Sequence, residues 1–161
     1  MPAPSPSPPT ESDTLGAAAA CVKRGDFEAA LTHLKALLVG NPRHELANGM
    51  LAGLYAQLKM PDRARHFFEQ VLRLNPTNVL ARFQLGLLHL DSGQPREALE
   101  AWQSKSPGPE DYLTHYYSAV ALLELSRPEE ANAQLLQAAQ HMPVDHPLHP
   151  ELQRLRHSLQ S

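Results

Sequence analysis

Cysteine is almost missing from this chain. Cys21 is the single one in 161 residues, which excludes an internal disulfide framework and fits a reducing, cytoplasmic compartment. No excess of positive charge exists: 14 Lys and Arg stand against 17 Asp and Glu, a net charge of -3. No global basic field therefore attracts nucleic acid or an anionic membrane, and neither is expected as a partner. No apolar run approaches the roughly 20 residues that a membrane span needs. The opening MPAPSPSPPTES has no charged start and no apolar stretch, so it is not expected to be a secretory signal. β-Branched residues are scarce among abundant aliphatics, which favours helix.

What the chain does have is repetition. GDFEAALTHLKALLVGNP (25–42), KMPDRARHFFEQVLRLNP (59–76) and SRPEEANAQLLQAAQHMP (126–143) each place Ala sixth and close on Pro. GQPREALEAWQSKSPGPE (93–110) keeps the Ala and loses the final Pro. The anchor residues Ala30, Ala64, Ala98 and Ala131 lie 34, 34 and 33 residues apart. A fixed period near 34 with two helices per unit is the signature of a helical solenoid. Apolar residues at helical spacing follow each anchor: Leu34 and Leu37, Phe68 and Val71, Trp102, then Leu135 and Ala138.

The first helix of each unit carries a small residue at a matching place, namely Ala18, Ala52, Gly86 and Ala119, where two helices approach closely. Turn residues separate the pair: Gly25-Asp26, Met60-Pro61, Gly93-Gln94-Pro95 and Arg127-Pro128. Pro at the start of the second helix costs little, because the amide it lacks would be unpaired there. Pro42, Pro76 and Pro143 stop the second helix.

Period, small-residue placement, anchor Ala and terminal Pro together resemble the tetratricopeptide repeat. The resemblance covers about residues 11–143 as four units: 11–44, 45–78, 79–111 and 112–143. The aromatic that often opens the family's unit is replaced by Thr14, Asn48, Arg82 and His115. The third unit departs further, with Lys105 at an apolar place and SPGPED at the helix end, predicting a short helix followed by a kink or loosened loop. The expected fold is all-α: a right-handed superhelical solenoid of about four helix-turn-helix repeats with a C-terminal capping helix. Residues 1–10, rich in Pro and Ser, are expected to be disordered. Residues 144–161 form a linker and a cap, because Leu148, Leu152, Leu155 and Leu159 recur at helical spacing. A solenoid end must be covered by a helix with a polar outer face, here expected over 150–160.

Nothing in the chain reads as an active site. A Gly-rich phosphate loop, Gly-x-Ser-x-Gly and His-Glu-x-x-His are all missing, so an enzyme is not expected and no cofactor is called for. Cys21 reads as a small buried hydrophobe rather than a reactive thiol. His89, at the equivalent place in unit three, reads as a hydrogen-bonded, partly buried histidine. His141, Asp145, His146 and His149 could in principle offer imidazoles and a carboxylate to a metal. They lie in a Pro-broken turn without a second set of ligands, so no metal is expected.

Family resemblance implies a concave groove built by the first helices. Its groove-facing places fall on Leu15, Ala19 and Val22; Leu46, Gly49, Gly53 and Ala56; Leu80, Phe83, Leu87 and Leu90; and Leu113, Tyr116, Val120 and Leu123. That face is mostly apolar, with Phe83, Leu87 and Tyr116 at its expected centre. Family members that grip the acidic tails of heat-shock chaperones use a clamp of Lys, Asn and Arg, since a buried carboxylate must be paired. Leu15, Ala19, Met50, Leu80 and Gln84 occupy those places here, so the clamp is absent. An apolar groove suits an amphipathic helix or an extended apolar peptide of another protein. In size and helical-repeat make-up the chain is similar to small bacterial chaperones of type III secretion. The reading is thus a non-enzymatic adaptor or small chaperone; the alternative is an assembly subunit, a homo-oligomer whose groove is filled by self-association.

Overall fold

The structure is a computed structural model that describes residues 8–103 and 111–160. Among the described residues there are nine helices and no strand. They are α1 (Glu11–Lys23), α2 (Phe27–Gly40), α3 (Glu45–Gln57), α4 (Pro61–Leu74), α5 (Val79–Asp91), α6 (Pro95–Gln103), α7 (Tyr112–Glu124), α8 (Pro128–His141) and α9 (His149–Ser158). The chain divides into two compact units, Met1–Ala81 and Arg82–Ser161. The expectations for residues 1–7 and for the loop after the third unit's second helix, around Lys105 and 106–110, fall outside the described residues.

Local chemistry explains where the helices begin. At α1 the Thr10 hydroxyl accepts from the Asp13 amide at 3.1 Å, while the Asp13 carboxylate accepts from the Thr10 amide at 2.9 Å. This reciprocal pair satisfies two amides that have no partner inside the helix. Asp26 caps α2 by accepting from the Ala29 amide at 3.1 Å, and His44 Nδ1 caps α3 by accepting from Ala47 at 3.3 Å. α4 and α8 instead start on Pro61 and Pro128 at the position where proline costs least.

The turn inside each repeat is one motif built four times. The amides of Asp26, Met60, Gln94 and Arg127 each reach back 2.9 Å to the carbonyls of Cys21, Tyr55, His89 and Leu122. Such a closure needs one residue in the left-handed region. Gly25 (φ 76°) and Gly93 (φ 70°) supply it without strain, whereas Lys59 (φ 57°) and Ser126 (φ 56°) hold it with a Cβ in place. Replacing Lys59 with Gly is therefore expected to stabilise the protein by about 0.5–1 kcal/mol, the relief of left-handed strain exceeding glycine's added chain entropy. Denaturant titration of Lys59→Gly measures this, and a destabilised variant would show that the lysine side chain contributes more than its strain costs.

In the first unit α1 packs on α2, α2 on α3 and α3 on α4; in the second, α6 packs on α7, α7 on α8 and α8 on α9. The anchors Ala30, Ala64, Ala98 and Ala131 and the first-helix residues Ala18, Ala52 and Ala119 are all buried. Gly86 is buried as well, and a Cβ there would run into the indole of Trp102. The polar residues that replace the family's aromatic are satisfied locally. Asn48 donates to the Pro42 and His44 carbonyls at 3.1 and 3.0 Å, and His115 Nδ1 pairs with Gln134 Oε1 at 2.7 Å. Both are buried, so these bonds offset the cost of enclosing polar groups. Leu152 of α9 is buried in the same core cluster as Leu135, Ala138 and Met142, and Leu155 with the flanking Leu148 and Leu159 packs against that cluster.

Candidate protein-binding surfaces

The first unit contains an open cavity of about 600 Å³. Leu46, Gly49 and Met50 of α3, Phe68 and Val71 of α4, and Leu80 and Ala81 at the start of α5 form its apolar walls. Gly49 matters through what it omits: a Cβ there would stand 3.8 Å from Val71 Cγ2, so any larger side chain would extend into this space. Leu46 and Leu80 are 58% and 66% exposed at its rim. Leu15 and Val22 of α1 are half-buried and do not line it.

One end of the cavity is polar, formed by His44, Glu45 and Asn78. Glu45 Oε1 accepts from both Asn75 Nδ2 at 2.9 Å and Asn78 Nδ2 at 2.8 Å. The Asn78 bond, then the Asn75 bond, hold the carboxyl below its usual range, so it stays ionised. The arrangement recurs one repeat earlier. There Asn41 Nδ2 donates to Glu11 Oε1 at 3.2 Å, and His44 Nε2 lies 3.7 Å from Glu11 Oε2. The acidic residue opening a first helix is thus held by residues 30 and 33 positions downstream. Because His44 Nδ1 accepts the α3 capping bond, its neutral form carries the proton on Nε2, facing Glu11.

The second unit offers a different face. Phe83 and Tyr117 approach with ring centroids 6.0 Å apart, and Tyr117 packs edge-on against Tyr116 at 5.2 Å. Leu87, Leu90, Val120 and Leu123 are partly buried and packed against the unit's core. Leu113 is half-buried on α7. Tyr116, expected at the centre of the groove, is instead only 5% exposed and belongs to the core. The reason is that α7 is enclosed by α6 and by α8, so the side chain next along the helix, Tyr117, is the one that meets Phe83. Burial foremost, and then the Glu151 carboxylate, raise the Tyr116 phenol above its usual range. Tyr117 escaped the sequence reading because the family's groove positions skip it.

His146, before α9, and His149, its first residue, make local contacts. His146 Nδ1 accepts from the Leu148 amide at 3.2 Å while its ring packs edge-on against Tyr112, and His149 Nε2 lies 3.4 Å from Gln153. Among the described residues no group of three or more His, Cys, Asp or Glu is arranged to hold a metal ion. His89 Nδ1 pairs with Gln94 Oε1 at 3.0 Å, and Cys21 is buried with an Arg24 guanidinium N–H donating to its sulfur at 3.4 Å. No helix among the described residues is long and apolar enough to cross a membrane.

The repeated helical hairpins define an all-α helical-repeat protein. Tetratricopeptide-repeat family models match residues 15–79 and 67–100. This chain belongs to the tetratricopeptide-repeat family, whose members serve as protein–protein interaction modules and are generally non-catalytic. Solved structures share the fold. MamA superposes with a TM-score of 0.79 at 17% identity, over 92% of this chain and 85% of that one. YrrB, described as a TPR protein with an unusual peptide-binding site, gives 0.79 at 18% identity, over 93% and 76%. PilF of Pseudomonas aeruginosa gives 0.74 at 18% identity, over 92% and 67%. No curated protein matches this chain in sequence.

Proposed function

We propose that this protein is a non-enzymatic adaptor or small chaperone of the cytoplasm that holds an apolar segment of another protein against its first helices. The observation that carries the reading is the pair of exposed leucines, Leu46 and Leu80, beside a 600 Å³ apolar cavity. A guest side chain entering there would gain about 25 cal/mol for each Å² of apolar surface removed from water. Phe83 and Tyr117 add a second apolar contact face in the other unit, and aromatic anchors are common where proteins meet. The peptide-binding site described for YrrB lends the reading support by analogy of fold. The buried free thiol of Cys21 suits a reducing compartment.

The test compares the wild-type chain with Leu46→Ser/Leu80→Ser, which removes both exposed leucines and leaves the core untouched. Helix content by circular dichroism should be unchanged, while capture of partners on immobilised protein should fall at least tenfold, the order expected when two interface anchors are lost. Light scattering of the wild type separates a guest from a second copy. A concentration-independent monomer excludes self-association as the occupant, and capture undiminished in the variant would overturn the reading.

A further inference from the structure

The polar end of the first unit's cavity is chemically one-sided. Among the described residues its ionisable lining groups are Glu45 and His44, with no Lys or Arg. Glu45 is anchored rather than neutralised. Both amide donors converge on Oε1. The amide bonds also favour the charged form of the carboxyl. His44 is occupied elsewhere, with Nδ1 in the α3 cap and Nε2 toward Glu11. The cavity therefore presents aliphatic and aromatic walls with one oriented, ionised carboxylate at the end.

Building on the reading above, we propose that this cavity takes an extended segment carrying aliphatic side chains and a lysine or arginine on one face. The aliphatic groups lie against Leu46, Met50 and Leu80, and the basic stem runs along the same wall to place its cation on Glu45 Oε2. Lys and Arg suit this task because their methylene stems bury readily while their heads seek a charge. An acidic segment meets the opposite condition, a like charge at the rim. The site is the electrostatic inverse of a clamp that reads carboxylates, and it selects by the charge next to the apolar anchor.

Fluorescence anisotropy on the full chain tests this with two labelled peptides. Each has a five-residue core in Gly/Ser flanks: Leu-Ser-Lys-Ser-Leu, and Leu-Ser-Glu-Ser-Leu as its counterpart. Alternation puts the two leucines and the central charge on one face of an extended chain. The lysine peptide is expected to bind about fivefold tighter than the glutamate peptide, the size of one attractive against one repulsive rim pair. High salt should narrow the gap. Glu45→Gln, which can still accept both asparagine bonds, should abolish the gap. Leu46→Ser/Leu80→Ser should weaken both peptides. Equal affinities that both fall in the leucine variant would overturn the basic preference and leave the apolar reading standing. A preference that persists in Glu45→Gln would also overturn the proposal. Binding of neither peptide, or binding unaffected by the leucine variant, would overturn both readings.

Discussion

Replacing Gly86 with alanine, the smallest possible change, is expected to destabilise this protein by about 3 kcal/mol or more, at the upper end of overpacking effects. A Cβ on Gly86 would lie 2.7 Å from Trp102 Cδ1 and closer still to Nε1 and Cε2. The indole cannot withdraw, since it is buried in the second unit's core and Nε1 donates to the Phe83 carbonyl at 3.2 Å. The other repeats show why glycine stands here. Period places Ala18 with Leu34, Ala52 with Phe68 and Ala119 with Leu135, so the only Trp of the chain coincides with the only Gly at the small-residue place. Gly86→Ala combined with Trp102→Leu recreates the first and fourth repeats' combination. The double variant should therefore be less destabilised than the sum of its single changes, by at least about 1 kcal/mol. Circular dichroism during denaturant titration reads both, and strict additivity would show that the two positions do not share one space.

The period and the alanine anchors were legible because they are backbone requirements. Close helix crossings tolerate only small side chains, and that demand recurs wherever the crossing recurs, at Ala30, Ala64, Ala98 and Ala131. The compensation between Gly86 and Trp102 was visible in the same alignment but needs two positions read together, one from each helix. The clasp on Glu45 has the same character. Glu11, Asn41 and His44 recur one period later as Glu45, Asn75 and Asn78, a pattern in three polar residues that an apolar-periodicity search passes over.

Exposure differs among the residues that the family pattern names for the groove. Leu46 and Leu80 are exposed at places the family pattern names, and both border the cavity. Tyr116 is buried and Tyr117 meets Phe83 instead. Successive residues on a helix differ by about 100° in direction, so how closely neighbouring helices enclose α7 decides which tyrosine is presented. That enclosure is a tertiary property which no local pattern carries. Leu87 shows the consequence for experiment. It packs partly buried against the core, so a charge placed there would strike fold and surface together, whereas Leu46 and Leu80 separate the two.

Leu152→Ala is expected to cost about 2–5 kcal/mol, the range for deleting a fully buried leucine. Leu152 has no exposed surface and belongs to the core cluster that includes Leu135, Ala138 and Met142, through which α9 packs on α8. A repeat buries its apolar face only against a neighbour, so the last one needs a helix that is apolar inward and polar outward. α9 meets this with Leu152 inward and Gln153, Arg154 and His157 exposed. Leu159, at the helix's C-terminal cap and only partly buried, should cost markedly less when truncated to Ala. Urea titration of both variants measures the difference. Equal small losses would show that α9 adheres to the second unit without closing it. A large loss at Leu152 alone would show that α9 seals the apolar end of the second unit through that one buried side chain.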